Sequence, residues 1–216
     1  MKHALLLVIA LVGLSGCLRS NPKPPPAPSR PVVTAPEPAP ERPAPAPKPT
    51  AETGWFQPRS AWAGQAIDTS NVEPMEPIYR LTVHHSGDAN DATGDPKNEL
   101  RLFERAHKGK GWACIGYHFI IARDGTVYEG RPLKYQGAHA TGDNNKGNVG
   151  ICLMGNFDSR PVPKAQMASL VATLERLRKQ YGIPRSEVEG HSHYKLTDCP
   201  GKYLRQFVTQ YQRGDN

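Results

Sequence analysis

The sequence lacks any apolar run long enough to cross a bilayer as a helix. The longest, ALLLVIALVGL at 4–14, has eleven residues, whereas a span needs about 20. Behind a short basic start, a run of this length is typical of the hydrophobic region of a signal peptide. The chain is therefore predicted to be exported. Its net charge of +7 favours an anionic neighbour, but export and the absence of a basic helix argue against nucleic acid.

Cysteine is scarce and never forms a C-x-x-C pair, which argues against a structural zinc finger. The first of the four cysteines, Cys17, ends the motif LSGC. Small residues before a cysteine at this place resemble the lipobox of bacterial lipoproteins, in which the chain is cut before the cysteine and the cysteine is acylated. The resemblance implies a signal peptide over residues 1–17 and a membrane anchor on Cys17. Leu18 favours the outer membrane of a Gram-negative cell, and an ordinary secretory signal is the alternative.

Residues 18–58 contain almost no side chains that could form a core. Fourteen of the 22 prolines fall within 21–58, and such a composition predicts a disordered linker. Proline favours the polyproline II conformation, so the segment is expected to act as a semi-rigid spacer. At about 3.1 Å per residue it would reach about 120 Å. The remainder, 59–216, has the size of one ordinary domain.

This domain alternates short apolar runs with amphipathic stretches, and no internal repeat interrupts them. Asp95 followed by Pro96 predicts where the first helix begins. Asp124-Gly125 is a strong hairpin turn between two strand-like runs. The run NVGICLMGNF, 148–157, predicts a central strand covered on both faces. The fold class predicted from these patterns is α/β, a mixed β-sheet covered by helices.

Most histidines lie at or beside the ends of predicted elements. His84 and His85 end the first strand, where neighbours point to opposite faces, so at most one easily enters a given site. The alternation of side chains does not decide which of the two histidines enters the site, because both faces of an α/β sheet are buried. His191 and His193 share a face only if their segment is extended. For each histidine taken singly, a structural role explains the position as well as metal ligation does, and His107 is predicted to be a partly buried helix residue.

The histidines and cysteines are more informative as a set. One histidine of the first strand, one of 190–193 and Cys199 would supply the three ligands of a catalytic zinc site, which leaves its fourth position open. Such a site would also account for the odd number of cysteines that remain after Cys17 in an oxidising compartment. A nucleophilic pair of Cys199 and a histidine is the alternative, although no carboxylate is placed to orient the base.

Four blocks occur in order: VHHS, GWACIGYHFIIARDGTVYEGR, GAHATGDNNKGNVGICLMGNF and GHSHYKLTDCPG. Together, over roughly residues 75–205, they resemble the zinc amidase domain shared by bacteriophage lysozyme-type amidases and peptidoglycan recognition proteins. The resemblance implies their fold, Zn2+ as cofactor and peptidoglycan as substrate. It also implies His84, His191 and Cys199 as zinc ligands, and it makes Tyr117 and Thr197 catalytic residues.

The resemblance extends to substrate contacts. Recognition proteins that prefer meso-diaminopimelate peptides tend to have the residues that stand here as Gly111, Trp112 and Arg131. An arginine suits the additional carboxylate of diaminopimelate, because its planar fork can bind a carboxylate through two hydrogen bonds. The alternative for Arg131 is a solvent-exposed residue of the hairpin. His139 is predicted to line the groove, with a buried structural histidine as the alternative. Many members of the family have an aspartate where this chain has Cys114. The sequence does not decide whether Cys114 and Cys152 form a disulfide.

The expected function is that of a lipid-anchored, periplasmic and monomeric N-acetylmuramoyl-L-alanine amidase. It would cleave the amide between N-acetylmuramic acid and the L-alanine of the stem peptide. Two alternatives come from other classes. One is a lipoprotein that binds peptidoglycan and tethers the membrane to the wall without cutting, and the other is a cysteine peptidase that uses Cys199.

Overall fold

The computed structural model describes residues 54–87 and 94–215. The predicted signal peptide, Cys17 and the linker as far as residue 53 lie outside these residues. None of the helices described is long and apolar enough to cross a membrane. The strands are β1 (Arg80–His85), β2 (Phe119–Ile121), β3 (Val127–Glu129), β4 (Asn148–Leu153) and β5 (Val188–Gly190), and the helices are α1 (Pro96–Gly109), α2 (Lys164–Tyr181) and α3 (Lys202–Arg213).

The five strands form one mixed sheet in the order β3-β2-β4-β1-β5. Strand β4 is central and pairs in parallel with both β1 and β2, while β5 adds to β1 in parallel and β3 pairs antiparallel with β2. All six residues of β4 are buried, as expected of a parallel strand covered on both faces. The predicted central strand and the predicted mixed α/β sheet are both confirmed.

Successive side chains divide between the two faces of this sheet. One face packs against α2 and α3, and we call it the α2–α3 face; its strand residues include Leu81, Val83, Val149, Ile151, Phe119 and Ile121. The other packs against Trp62 and α1, and we call it the α1 face; its strand residues include Ile120 and Cys152. His84 is opposite Cys152 in the β1–β4 register, so its side chain belongs to the α1 face.

The ends of the helices follow local chemistry. The Asp95 side chain accepts a hydrogen bond from the Lys97 amide at 2.9 Å, and Pro96 is the first residue of α1. The predicted start of this helix is confirmed. Helix α2 ends at Gly182, whose φ of +68° favours glycine.

The fold begins upstream of residue 59, where the sequence analysis placed the domain boundary. The rings of Trp55 and Phe56 lie 4.8 and 5.6 Å from the ring of Phe119, measured between centroids. The Gln57 amide donates to the Val127 carbonyl at 2.8 Å. These residues sit at the end of a proline-rich segment, but their aromatic rings bury apolar surface against the core.

Candidate metal centre

Three residues that the sequence predicts as ligands come together on the α1 face. His84 is the penultimate residue of β1, His191 opens the short 3-10 helix after β5, and Cys199 lies in the loop before α3. One potential ligand atom from each lies within 4.8 Å of the other two. The carboxyl end of β1 and the connection between β5 and α3 therefore build one group from distant parts of the chain.

The geometry of this group fits zinc. The Cys199 Sγ atom is 3.6 Å from His84 Nδ1. Zinc bonds of about 2.0 Å to nitrogen and 2.3 Å to sulfur, at a tetrahedral angle, place the two atoms about 3.5 Å apart. His191 Nε2 is buried and has no hydrogen-bond partner within the part of the chain that the structure describes. Two imidazoles and one thiol are also donors that zinc prefers.

Burial controls the protonation of all three groups. It lowers the pKa of His84 well below its usual value of 6.5, with the neighbouring His139 and His191 acting in the same direction. It lowers the pKa of His191 to about 4 and raises the pKa of Cys199 to about 12. Without a cation, the site therefore holds two neutral imidazoles and a protonated thiol.

This protonation pattern is the opposite of an activated cysteine nucleophile. Reactive thiols have a depressed pKa and a neighbouring cationic base, whereas burial here keeps Cys199 protonated and His84 neutral. The group is therefore better suited to hold a metal than to act as a cysteine peptidase.

Three other histidines have partners outside the metal-binding group. His85 faces the α2–α3 side, where its Nδ1 accepts from the Phe157 amide at 3.2 Å. His193 is 55% exposed, with Nδ1 3.4 Å from the Glu189 carboxylate. His107 is a buried residue of α1, as predicted, and its Nδ1 accepts from the Gly116 amide at 3.0 Å.

Tyr117 lies beside the metal-binding group. Its ring centroid is 5.0 Å from that of His84, and its side chain packs against the buried cluster that contains Cys152. Burial raises the pKa of Tyr117 well above its usual value, so the hydroxyl keeps its proton and remains a donor. The sequence analysis missed Cys152 in this place. The alternation of NVGICL, which puts Gly150 and Cys152 on one face, is the signal that indicates it.

The Thr197 hydroxyl oxygen accepts a hydrogen bond from the Cys199 amide at 3.3 Å. This contact braces the short loop that carries the thiol. The structure thus gives Thr197 a positioning contact with a ligand residue.

A row of rings leads from the surface to the metal-binding group. The Trp112 and His107 centroids are 4.6 Å apart, and His107 is 5.5 Å from Tyr117. Trp112 is half-buried. Gly111 precedes it with a φ of +81°, and its carbonyl accepts from the Asn71 side chain at 2.7 Å. Gly111 and Trp112 therefore lie at the surface end of this row of rings, which we call the Gly111-Trp112 rim.

Arg131 is placed differently from either expectation. It is 4% exposed, so the alternative of a solvent-exposed hairpin arginine is wrong. Its guanidinium donates to the carbonyls of Ile115, Gln136 and Cys114 at 3.0, 2.9 and 3.3 Å. Three of the five N–H donors of the guanidinium are therefore used inside the protein. Arg131 holds together two loops whose approach no periodic pattern of the sequence predicts.

His139 does not offer a free nitrogen to a groove. It is 7% exposed, with Nδ1 3.1 Å from His84 Nε2 and Nε2 3.2 Å from the Asn148 carbonyl. Because both nitrogens are used inside the protein, the predicted substrate contact is corrected to the buried structural alternative.

Cys114, Cys152 and Cys199 are all free thiols. The disulfide between Cys114 and Cys152 that the sequence left open is not formed. Cys114 instead points its thiol at the Ile115 carbonyl, 3.4 Å away.

Known proteins are similar to this chain in sequence and in fold. The model of the N-acetylmuramoyl-L-alanine amidase family matches residues 74–202. The endolysin of Enterobacteria phage K11 is 38% identical over 114 residues, which are 50% of this chain and 74% of the endolysin. The amidase LysC of Clostridium intestinale URNW is 29% identical, with a TM-score of 0.62 over 75% of this chain and 99% of its own. A variant of Drosophila PGRP-LB in complex with tracheal cytotoxin is also 29% identical, with a TM-score of 0.63 over 71% and 92%.

The family match begins before β1 and ends at the start of α3, so it includes the whole sheet and all three members of the metal-binding group. The solved relatives have the same α/β fold, which confirms the predicted fold class. On these grounds the chain belongs to the N-acetylmuramoyl-L-alanine amidase family.

Proposed function

We propose that this chain is a zinc-dependent hydrolase that cleaves the amide between N-acetylmuramic acid and the L-alanine of the peptidoglycan stem peptide. The observation that carries the proposal is the group of His84, His191 and Cys199, whose ligand atoms lie within 4.8 Å of one another. Three protein ligands are the number used by catalytic zinc sites, whereas structural sites use four. Relatives named as endolysin and amidase support the reaction class.

The roles of the residues follow from their contacts. His84, His191 and Cys199 would hold the metal. When bound, zinc supplies a Lewis acid for the amide carbonyl and lowers the pKa of water. Tyr117 keeps its phenolic proton at neutral pH, because the ordinary pKa of a phenol is about 10 and that of Tyr117 is raised further, so it can donate a hydrogen bond to the carbonyl oxygen as that oxygen gains negative charge. Thr197 braces the Cys199 loop.

We also propose peptidoglycan of the diaminopimelate type as the substrate. The support is the Gly111-Trp112 rim beside Tyr117, together with a PGRP-LB variant whose structure was solved with tracheal cytotoxin. The LSGC motif supports a lipid anchor on Cys17 and a periplasmic position at the outer membrane. Replacement of Cys17 by serine, Cys17→Ser, should move the protein from the membrane fraction to the soluble fraction. Unchanged fractionation would contradict the anchor.

The decisive experiment is mass analysis of the products from purified diaminopimelate-type peptidoglycan. The full chain should release stem peptides with a free L-alanine amino group and leave intact glycan strands. A chelator should abolish this release, and added zinc should restore it. Undiminished hydrolysis in chelator would overturn the metal-dependent reaction. Binding to peptidoglycan without any release would instead favour the alternative function, a non-catalytic tether between membrane and wall.

A further inference from the structure

A relay of hydrogen bonds runs from the metal-binding group into the sheet. His84 Nε2 is 3.1 Å from His139 Nδ1, and His139 Nε2 is 3.2 Å from the Asn148 carbonyl oxygen. The other nitrogen of His84, Nδ1, is 3.6 Å from the Cys199 thiol. Each nitrogen of the two imidazoles therefore has one defined neighbour.

These neighbours determine where the protons lie. A carbonyl oxygen only accepts, so His139 Nε2 must carry the proton. A neutral imidazole has one N–H, and His139 is 7% exposed, where a cationic ring would be costly to bury. His139 Nδ1 is then an acceptor, and His84 Nε2 must donate to it. This leaves the lone pair of His84 on Nδ1, the atom that faces Cys199.

The ring of His139 packs closely against the backbone at two glycines. A Cβ atom at Gly137 would lie 2.4 Å from His139 Cδ2, and one at Gly150 would lie 2.5 Å from Cδ2 and Cγ. Neither glycine has a positive φ, so the close approach of the ring, and not the backbone conformation, explains their lack of a side chain. The Asn145 side chain fixes the backbone, because its oxygen accepts from the amides of His139 and Ala140 at 2.9 and 2.8 Å.

We propose that His139 is a positioning residue that holds His84 in the Nε2–H tautomer and so presents the Nδ1 lone pair to the metal. The inference rests on the proposed metal chemistry and deepens it by assigning a task to a residue that touches neither metal nor substrate. Hydrogen-bond partners of metal-bound histidines typically change metal affinity by about 10–100-fold when they are lost. An effect of that size is expected here.

The tautomer is tested in the zinc-free full chain by nitrogen NMR of the histidine rings. We expect His84 to carry its proton on Nε2 in the wild type and to lose this preference in His139→Leu. The same two proteins are then titrated with zinc against a competing chromogenic chelator. The dissociation constant of His139→Leu should be about 10–100-fold higher. A proton on Nδ1 of His84 in the wild type, or an affinity within threefold in the folded variant, would overturn the proposal.

Two further variants separate positioning from loss of structure. His139→Asn keeps an acceptor near the Nδ1 position and should recover most of the affinity that His139→Leu loses. Gly150→Ala should crowd the ring and weaken zinc binding, whereas Gly64→Ala, at a site with no atom within 4 Å of the added Cβ, should not. Equal losses in His139→Asn and His139→Leu would contradict the relay.

These measurements also separate a failure of this inference from a failure of the proposed zinc-dependent function. A wild-type chain that binds no zinc overturns the proposed function. In that case the NMR measurement still decides whether His139 sets the tautomer of His84, because it is made without metal.

Discussion

The Sγ atom of Cys199 lies 3.6 Å from Nδ1 of His84, although 115 positions separate the two residues in the chain. This distance is about the one that a single tetrahedral zinc ion imposes on a nitrogen and a sulfur ligand. The same thiol has its pKa raised to about 12 by burial. A buried thiol of this kind becomes a thiolate only when a cation compensates the charge, so metal and proton compete for one site.

Replacement of this thiol should therefore remove the metal. In Cys199→Ala we expect bound zinc to fall well below one ion per chain, measured by atomic emission after dialysis. Cys114→Ala is the matched control, since it also removes a buried thiol but one outside the metal-binding group. Equal zinc contents in Cys199→Ala and the wild type would exclude Cys199 as a ligand.

Tyr117→Phe should separate catalysis from metal binding. The hydroxyl is the only group removed, and its proton is retained at neutral pH, since a phenol has an ordinary pKa of about 10 and burial raises that of Tyr117 further. Loss of one donor to a developing oxyanion typically lowers kcat about 10²–10³-fold. Rates of peptide release and zinc contents should be compared for both proteins. A variant with unchanged kcat would show that the hydroxyl takes no part.

Arg131→Lys tests whether the buried guanidinium stabilises the fold or binds a substrate carboxylate. Hydrogen bonds from charged groups contribute about 1.5–3 kcal/mol each, and an ammonium cannot reproduce the planar fork that reaches three carbonyls. We expect the free energy of unfolding to fall by about 2–4 kcal/mol in denaturant titration. The ratio of activities on diaminopimelate-type and lysine-type peptidoglycan should stay the same. A changed ratio without loss of stability would restore the direct carboxylate contact that the sequence indicates.

Buried neutral histidines should make the metal-free fold sensitive to acid. Burial lowers the pKa of His118 to about 4, with Arg131 adding to the effect and the Tyr135 carbonyl opposing it. Between this value and the ordinary 6.5, the unfolded chain binds more protons than the folded one, so stability falls as pH falls. His118 should account for about 2 kcal/mol of the loss between pH 7 and pH 5.

Denaturant titrations of the metal-free wild type and His118→Gln at both pH values measure this contribution. The variant is expected to be less stable at pH 7, because His118 Nδ1 accepts from the Gly150 amide at 3.0 Å. Its dependence on pH should nevertheless be shallower. Parallel pH dependences in the two proteins would contradict the assignment.

Much of the site can be predicted from the sequence because its ligands lie in short, ordered motifs. Strand alternation shows that His84 and His85 point apart, but not which of them enters the site. That choice depends on the side of the sheet to which the Cys199 loop returns, and both sides are buried. It is a tertiary fact that no local pattern of β1 contains.

The rest depends on contacts between distant loops. His139 and Arg131 both sit in segments without helical or strand periodicity, and their partners are mostly backbone atoms. Residue type and spacing therefore say little about their use. For His139 an indirect signal exists, because Gly137 and Gly150 have no backbone reason to be glycine and mark the space that the ring fills.

The contact of Trp55 with Phe119 has a mechanical meaning. Phe119 belongs to the α2–α3 face of the sheet, whereas His84 projects from the α1 face. A pull on the chain at Gly54 would therefore act on aromatic packing that lies on the face opposite His84. The point at which the N-terminal segment enters the fold and the side chain of His84 are thus separated by the thickness of one β-sheet.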